Sequence, residues 1–343
     1  MVVQSLHSAI GGGIFVYDVY IVYTVSPQLH PNCTQIRKGD SLLIKSSITL
    51  TLNLILYKYM NENQIQNINK LNKDFLQLLG LCYSILRSLE GKKLPHKGWK
   101  DVLPLLKNFF VHAITIFAVK DGITCKFPNQ KYEESFTEFA SILVLTRSAI
   151  EIYYNLKRVF FLTVDNEDLF DFEYNSWKLS GYIINDLTVT KNYRNFNEKE
   201  KASTYLQILR DRIYKTSKFQ NLSKKEQNNV INGNRIINWT EVSNTIGIND
   251  EKRKFLYRFL SSFVHANGFS VDQLLFSKSL EDTKVQIYIQ IKILIFFLSL
   301  LIIDLYSLVS EIKYVCDNNK EAFKLAVDYS GVNIENNKYI YHN

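Results

Sequence analysis

The sequence contains few of the residues that make tight turns, cross-links or metal sites. Its 343 residues include only 13 Gly and 5 Pro, too few for a collagen-like or disordered chain or a turn-dense β-sandwich. Four Cys without a CxxC pair argue against a disulfide framework and against a zinc ribbon. Six His without an HxH or HxxxH pair provide no helical metal-binding spacing. We therefore expect no bound metal and no cofactor.

Long hydrophobic runs are also lacking. The most apolar stretch, Ile293–Ile303, is an uncharged run between Lys292 and Asp304, whereas a membrane-spanning helix needs about 20 residues. No Lys or Arg precedes Arg37, so the basic region of a secretory signal is missing. We expect a cytoplasmic protein that buries this run in its core. A membrane-associated helical protein that uses the run is the third-ranked alternative.

Positive charge is concentrated in one part of the chain. The net charge is +8, and residues 191–225 contain ten Lys or Arg against three Asp or Glu. Such a segment favours polyanions, RNA among them, although a solvated helix face is an equally good interpretation. The candidate RNA-binding residues share one predicted helix, opposite its apolar face: Lys199, Lys201, Arg210, Arg212 and Lys215.

Apolar residues recur at steps of three and four over most of the chain after residue 60, which predicts an all-α protein of long helices. The segment 218–234 is rich in Asn and Lys and is predicted to be a mobile loop. The predicted helices are Asn61–Gly91, Asp101–Val119, Glu133–Leu162, Asp168–Leu187, Glu198–Ser217, Trp239–Ile246, Glu251–Ala266, Val285–Val315 and Lys320–Tyr329.

Composition also divides the chain. Residues 11–25 are rich in β-branched and aromatic residues, unlike the sequence that follows residue 60. We interpret residues 1–59 as an N-terminal extension that either forms strands or is not part of the natural folded unit. The remaining predicted regions are an N-terminal helical region at 60–128, a helical domain at 129–330 and a polar tail at 331–343.

One predicted helix carries residues suited to RNA chemistry. Arg258 and His265 are seven residues apart, so steps of about 100° return them to nearly the same face, with Ser261 and Ser262 between them and Tyr257 beside them. A histidine can move a proton near neutral pH, while an arginine stabilises the charge on a phosphorane-like transition state. Such a route to RNA cleavage needs no metal. The alternative is a helix-end histidine bonded to a carbonyl.

A second charged pair lies on an otherwise apolar helix. Arg147 and Glu151 are at positions i and i+4, where side chains of opposite charge contact each other. They are candidates to shape the site, either paired together or facing Arg258 and His265. The alternative is a structural bridge that ties two helices together.

These residues carry a resemblance to a known family. Arg258, six residues and His265 resemble the R-x(4–6)-H motif of the HEPN superfamily, all-helical domains that include bacterial toxin and anti-phage ribonucleases. The segments LTRSAIEIYYNL, from residue 145, and YRFLSSFVHAN, from residue 257, are similar to HEPN-like bacterial families of unknown function. The resemblance covers roughly residues 129–315. It implies a HEPN-like helical bundle, here with additional long helices, that forms a homodimer with two motifs facing one cleft.

The leading hypothesis is thus a metal-independent endoribonuclease of HEPN type in a bacterial toxin or anti-phage defence setting. Arg258 and His265 would be catalytic, and RNA, a second copy and an antitoxin or defence protein would be the partners. Phe259 stands where the family usually has a polar residue directly after the arginine. The alternative is therefore a non-catalytic helical module that binds a nucleotide, RNA or a protein.

Overall fold

The computed structural model describes most of the chain from residue 68 onward. The described ranges are 68–92, 97–126, 133–136, 139–189, 196–234, 239–264, 280–335 and 338–341. The extension predicted over residues 1–59 and the candidate His265 lie outside them. For some residues within these ranges, Lys199 and Lys201 among them, only the backbone is described.

The described residues form twelve α-helices, in agreement with the predicted all-α class. Most of the long helices direct an apolar stripe toward a common core, as the spacing of their apolar residues predicts. In chain order the helices are α1 (Ile68–Leu89), α2 (Val102–Val119), α3 (Phe139–Leu156), α4 (Glu167–Val189), α5 (Phe196–Tyr214), α6 (Ser217–Gln220), α7 (Lys224–Ile231), α8 (Trp239–Thr245), α9 (Asp250–Val264), α10 (Leu280–Leu308), α11 (Ser310–Asn318) and α12 (Lys320–Ser330).

Two antiparallel hairpins are the strand structure of the described residues. β1 (Ile123–Lys126) pairs with β2 (Glu133–Phe136), so the helix predicted from Glu133 begins only at Phe139. The prediction was wrong there because the backbone of β2 pairs with β1, which begins ten residues earlier in the chain. β3 (Val332–Glu335) pairs with β4 (Lys338–Tyr341) within the region interpreted as a polar tail.

The core is built around α10. Leu294, Ile295 and Leu298 have no exposed surface, and α10 packs against α3, α12 and α1. The helix predicted to continue to Val315 ends earlier, because the backbone at Val309 is extended and α11 starts anew. By length and composition alone, α10 and the helical segment Gly98–Val119 could cross a membrane. This is weak evidence, since a buried core helix meets the same criteria.

The helices α1 and α2 form an antiparallel pair on one side of α10. The rings of Phe75 and Phe117 lie 5.6 Å apart near one end. Lys107 Nζ lies 2.9 Å from Glu90 Oε1 near the other. Phe75 and α10 residues belong to the same hydrophobic cluster as α3. The first described helices therefore share the main core with the helices that follow.

Helix α4 packs on two sides. Phe170 belongs to the main core, whereas Phe172, about 200° further round the helix, belongs to a smaller cluster with Leu209 and Ile213 of α5. A helix with two apolar faces needs a cover on each. The basic helix α5 is the outer cover of α4.

The mobile loop predicted over residues 218–234 is wrong for the backbone that is described there. Thr216 and Ser223 cap α6 and α7 by accepting hydrogen bonds from Phe219 N and Glu226 N. Phe219 and Val230 are buried in the smaller cluster. Caps and two apolar anchors are sufficient to hold short helices of a polar composition that otherwise indicates a loop.

Candidate functional site

A polar stripe runs along α3 and across its C-terminal end. Arg147, Glu151 and Asn155 follow one another at steps of four, which places them on one helix face. Residues Lys157–Phe161 then form a π-helix, a feature that is frequent at functional sites. The π-helix directs Arg158 toward the same side as the stripe.

The stripe forms one wall of a cavity of about 690 Å³, within the range of about 300–1,000 Å³ that small-ligand sites occupy. The opposite walls come from α4, from the residues that follow α7, and from α8 and α9. The side chains and backbone that line it are Arg147, Glu151, Asn155, Arg158, Val159, Glu173, Trp177, Ser180, Gly181, Ile184, Gly233, Asn234, Trp239 and Tyr257.

The charges of the cavity are balanced in pairs. Arg147 Nε donates to Glu151 Oε1 at 2.9 Å. Arg158 Nε lies 2.9 Å from Glu173 Oε2, and the side chains of this second pair are only 10% and 6% exposed. Because each guanidinium already faces a carboxylate, the four side chains contribute no net charge. The cavity therefore differs from an anion-binding site, which needs unbalanced positive charge.

Arg147 keeps hydrogen-bonding capacity that the described residues do not use. Its Nη1 is buried and has no hydrogen-bond partner among them. Glu151 is partly exposed, and its second carboxylate oxygen accepts no hydrogen bond from the described chain. Leaving a buried donor unpaired costs about 1–3 kcal/mol. A bound group that accepts from Arg147 would recover that free energy.

Aromatic rings complete the cavity wall. The Arg147 guanidinium lies over the ring of Tyr257, 5.4 Å from its centroid, and Tyr257 meets Trp239 edge-to-face at 5.0 Å. Behind Trp239, the hydroxyl groups of Tyr154 and Ser243 lie 2.8 Å apart. Burial raises the pKa of Tyr154 to about 12, so this hydroxyl stays protonated. Tyr257 is 40% exposed and its ring is accessible from solvent.

A glycine closes the rim of the cavity. Gly233 has φ +71°, a left-handed conformation that favours glycine, and a Cβ there would lie 2.9 Å from Ile183 Cδ1. Its carbonyl accepts a hydrogen bond of 2.7 Å from Ser180 Oγ. This contact fixes the end of α7 against α4 and places Asn234 at the cavity.

Helix α9, which was predicted to carry the catalytic residues, lines the cavity with Tyr257 but not with Arg258. Arg258 is exposed on α9, is not one of the lining residues and makes no ion pair within the described ranges. Tyr257, the preceding residue, lines the cavity together with Arg147 and Glu151. The structure thus brings three predicted site-shaping residues together and places Arg258 outside the cavity, on the same helix as Tyr257, while His265 lies outside the described residues.

The two serines do not share the open face that the helical spacing predicts. Ser262 is buried, and its hydroxyl donates to the Phe259 carbonyl at 2.7 Å. This is a correction: Ser262 lies one turn from Phe259 on the buried side of α9. Ser261 is partly buried, and its Oγ has no hydrogen-bond partner among the described residues.

The predicted RNA-binding helix is partly accessible. Arg212 and Lys215 are exposed and form no ion pair with any described residue. Arg210 is partly buried, and its Nε donates to the Ile231 carbonyl at 3.4 Å, which ties α5 to α7. Arg210 is therefore structural as well as basic. The side chains of Lys199 and Lys201 lie outside the description.

Several cavity residues are absent from the sequence prediction. Asn155 continues the spacing of Arg147 and Glu151, and this periodicity could have identified it, whereas Arg158 faces the cavity through the π-helix. Glu173 and Asn234 come from other elements, and no local pattern marks them. Among the described residues, no group of three or more His, Cys, Asp or Glu side chains could hold a metal ion.

The comparisons with known proteins add no assignment to this geometry. No family model, curated protein or solved structure matches the chain.

Proposed function

We propose that the protein is a cytoplasmic, metal-independent endoribonuclease of HEPN type that acts in a bacterial toxin or anti-phage defence setting. The observation that carries the proposal is the position of Arg258. It is an exposed guanidinium on α9 that forms no ion pair with any described residue, and it lies next to Tyr257 at an aromatic cavity. A guanidinium free of carboxylate partners is available to a phosphodiester.

In this proposal Arg258 and His265 divide the chemistry. His265 takes the proton from the ribose 2′-hydroxyl as that oxygen bonds to the adjacent phosphorus, and the proton is returned to the 5′-oxygen as the phosphorus–5′-oxygen bond breaks. Arg258 stabilises the additional negative charge on the phosphoryl oxygens. The products are a 2′,3′-cyclic phosphate and a free 5′-hydroxyl, so atoms and protons balance without an additional reactant.

Basic side chains outside the cavity support the binding of RNA. Arg212 and Lys215 are exposed on α5, and contacts of such residues with phosphates provide affinity without sequence choice. A second copy of the chain would bring a second Arg258 and His265 into one cleft, which is the dimer that the resemblance implies. A toxin of this kind would also need an antitoxin or defence protein as its partner.

The test is cleavage of RNA by the full-length protein in the presence of EDTA. We expect fragments with 2′,3′-cyclic phosphate ends, and a loss of rate of roughly 10²–10⁴-fold in His265→Ala and Arg258→Ala. Lys254→Ala is the matched control, because Lys254 is an exposed cation on the same helix. Cleavage that persists in both His265→Ala and Arg258→Ala would contradict the proposal.

A second candidate, a non-catalytic binding module, is favoured by Phe259. Its ring is 9% exposed, stacks on Phe255 at 5.8 Å and packs edge-to-face with Phe263 at 5.5 Å. The position after Arg258 is thus part of the core and presents no polar group beside the arginine. RNA binding by the wild type without cleavage under any divalent-free condition would select this candidate.

A further inference from the structure

The cavity beside Arg258 has properties of its own that the proposed chemistry does not use. Its walls combine an exposed tyrosine ring, a partly exposed indole of Trp177 and the Arg147–Glu151 ion pair. Aromatic faces stack on planar groups, while the ion pair offers a donor and an acceptor side by side. The site is therefore suited to a flat ligand with hydrogen-bonding edges.

Charge excludes a phosphate as the main group recognised there. Both arginines face glutamates at 2.9 Å, and an anion would have to displace a carboxylate or lie beside it. Repulsion between like charges in a partly desolvated site makes that unfavourable. A purely apolar ligand is disfavoured as well, because it would leave Arg147 Nη1 unpaired.

We infer that the cavity binds a guanine base, with the Arg147–Glu151 pair reading its edges and Tyr257 and Trp177 contacting its faces. Guanine offers two acceptors, O6 and N7, that match a guanidinium. Its N1–H and exocyclic N2–H₂ groups match a carboxylate. Adenine and cytosine have neither of these two edges, and uracil has neither N7 nor an exocyclic amine.

The guanine could belong to an RNA chain or to a free nucleotide. We assign it to an unstacked base of the RNA, an assignment that rests on the proposed function because Tyr257 and Arg258 are adjacent on α9. A base held in the cavity would then place its phosphodiester close to the exposed Arg258. The cavity would make the enzyme selective for guanine in single-stranded RNA, where bases can unstack.

The first test uses nucleosides, which carry no phosphate. Guanosine, inosine, adenosine, cytidine and uridine are titrated into the full-length protein, with binding followed by calorimetry and by tryptophan fluorescence. Two of the three tryptophans, Trp177 and Trp239, line the cavity. We expect guanosine to bind at least tenfold more tightly than adenosine, and inosine, which lacks the exocyclic amine, to bind several-fold more weakly than guanosine.

Two cavity variants test whether guanosine binds in the cavity. Glu151→Gln should weaken guanosine binding roughly tenfold, and Tyr257→Leu should also weaken it while keeping an apolar side chain. Glu90→Gln is the matched control, because Glu90 also pairs with nearby cations but lies away from the cavity, on the loop after α1. Equal binding of all five nucleosides, no binding, or unchanged binding in both cavity variants would overturn the inference.

A second arm separates the source of the base from the cleavage activity. Short 2′-O-methyl RNAs that cannot be cleaved are compared with one guanine or one adenine at a single position, beside GTP. Preference for the guanine RNA, lost in Glu151→Gln, supports the RNA source. GTP binding without any preference among the RNAs would overturn it. Arg258→Ala should lose cleavage but retain guanosine binding, so failure of the nuclease proposal is seen independently.

Discussion

At the scale of single residues, Lys157 and Arg158 are neighbours in the sequence, but their side chains form ion pairs in different parts of the structure. Lys157 Nζ lies 2.6 Å from Asp304 Oδ1 inside the core, and Tyr153 donates to the other oxygen of Asp304 at 2.9 Å. Arg158 instead reaches Glu173 at the cavity. The π-helix that begins at Lys157 permits this divergence. Burial raises the pKa of Asp304, and Lys157 and Tyr153 oppose that rise.

Removing the buried cation should therefore destabilise the fold. We expect Lys157→Met to lower the free energy of unfolding by about 3–5 kcal/mol at pH 7, because it leaves a charged carboxylate unpaired in the core. The measurement is equilibrium unfolding in urea. The double variant Lys157→Met/Asp304→Asn should recover part of the loss, because neither position then carries a charge.

The Lys157–Asp304 pair also predicts how the stability of the Lys157→Met variant changes with pH. In Lys157→Met the folded-state pKa of Asp304 should rise further, because the cation that opposes the effect of burial is gone; the variant is therefore most stable where the carboxyl is protonated and loses stability as pH rises. The difference in unfolding free energy from the wild type should shrink as pH is lowered from 7 toward 5. A difference that is constant over this range would contradict a charged, unpaired Asp304.

At the scale of elements, short polar helices depend on their caps. The Ser223 hydroxyl accepts a hydrogen bond from Glu226 N, and the Glu226 carboxylate accepts one from Ser223 N. The hydrogen bonds from Ser223 hold the pKa of Glu226 below its ordinary value. A carboxyl with a lowered folded-state pKa contributes stability above its ordinary pKa and loses it as pH falls. Helix α7 should therefore lose stability as pH falls below the ordinary pKa of Glu226.

The variant Ser223→Ala tests how strongly helix α7 depends on its N-terminal cap. We expect the amides of α7 to exchange with solvent roughly fivefold faster near neutral pH, because one orphan donor at the helix start loses its acceptor. The acid-induced loss of protection should become smaller, since Glu226 loses the hydroxyl hydrogen bond that contributes most to lowering its pKa, while the backbone N–H of residue 223 still donates to it. Hydrogen exchange read by mass spectrometry measures both effects. Lys225→Ala, exposed on the same helix, should leave protection unchanged.

Elements also show what the sequence could predict. The long helices and the Arg147–Glu151 contact follow from periodicity, because spacing alone decides which side chains share a face. The strand at Glu133 and the break at Val309 do not, since they depend on a pairing partner and on tertiary packing. Position 262 illustrates the same limit: its helical phase was close to Arg258, but the location of the core decided its burial.

At the scale of the whole molecule, charge and recognition are separated. Five of the lining residues of the balanced cavity belong to α4, whereas the exposed cations Arg212 and Lys215 lie on α5 and do not line the cavity. Phosphate contacts would thus supply affinity, while the cavity would supply selectivity. Sequence composition predicted the first property. The cavity unites residues from five helices and could not be assembled without the tertiary structure.

This separation predicts two different responses to salt. The variant Arg212→Ala/Lys215→Ala should weaken binding of single-stranded RNA and reduce the slope of log affinity against log salt by about 1.4, at about 0.7 for each lost phosphate contact. Guanosine binding should not change. Filter binding at a series of salt concentrations measures the slope. The control is Lys313→Ala/Lys324→Ala, two exposed cations of α11 and α12; an equal drop in slope there would contradict a localised RNA surface.

Two glycines lie close against helix α4. A methyl group on Gly98 would lie 2.4 Å from Phe170 Cζ, and one on Gly233 would lie 2.9 Å from Ile183 Cδ1. Both distances are well short of ordinary carbon–carbon contact. At Gly98 and at Gly233 the neighbouring segment can therefore lie close to α4 because no side chain stands between them. A side chain at Gly233, on the rim of the cavity, would therefore push against α4 and change the width of the opening, whereas the lining side chains decide what the cavity can bind.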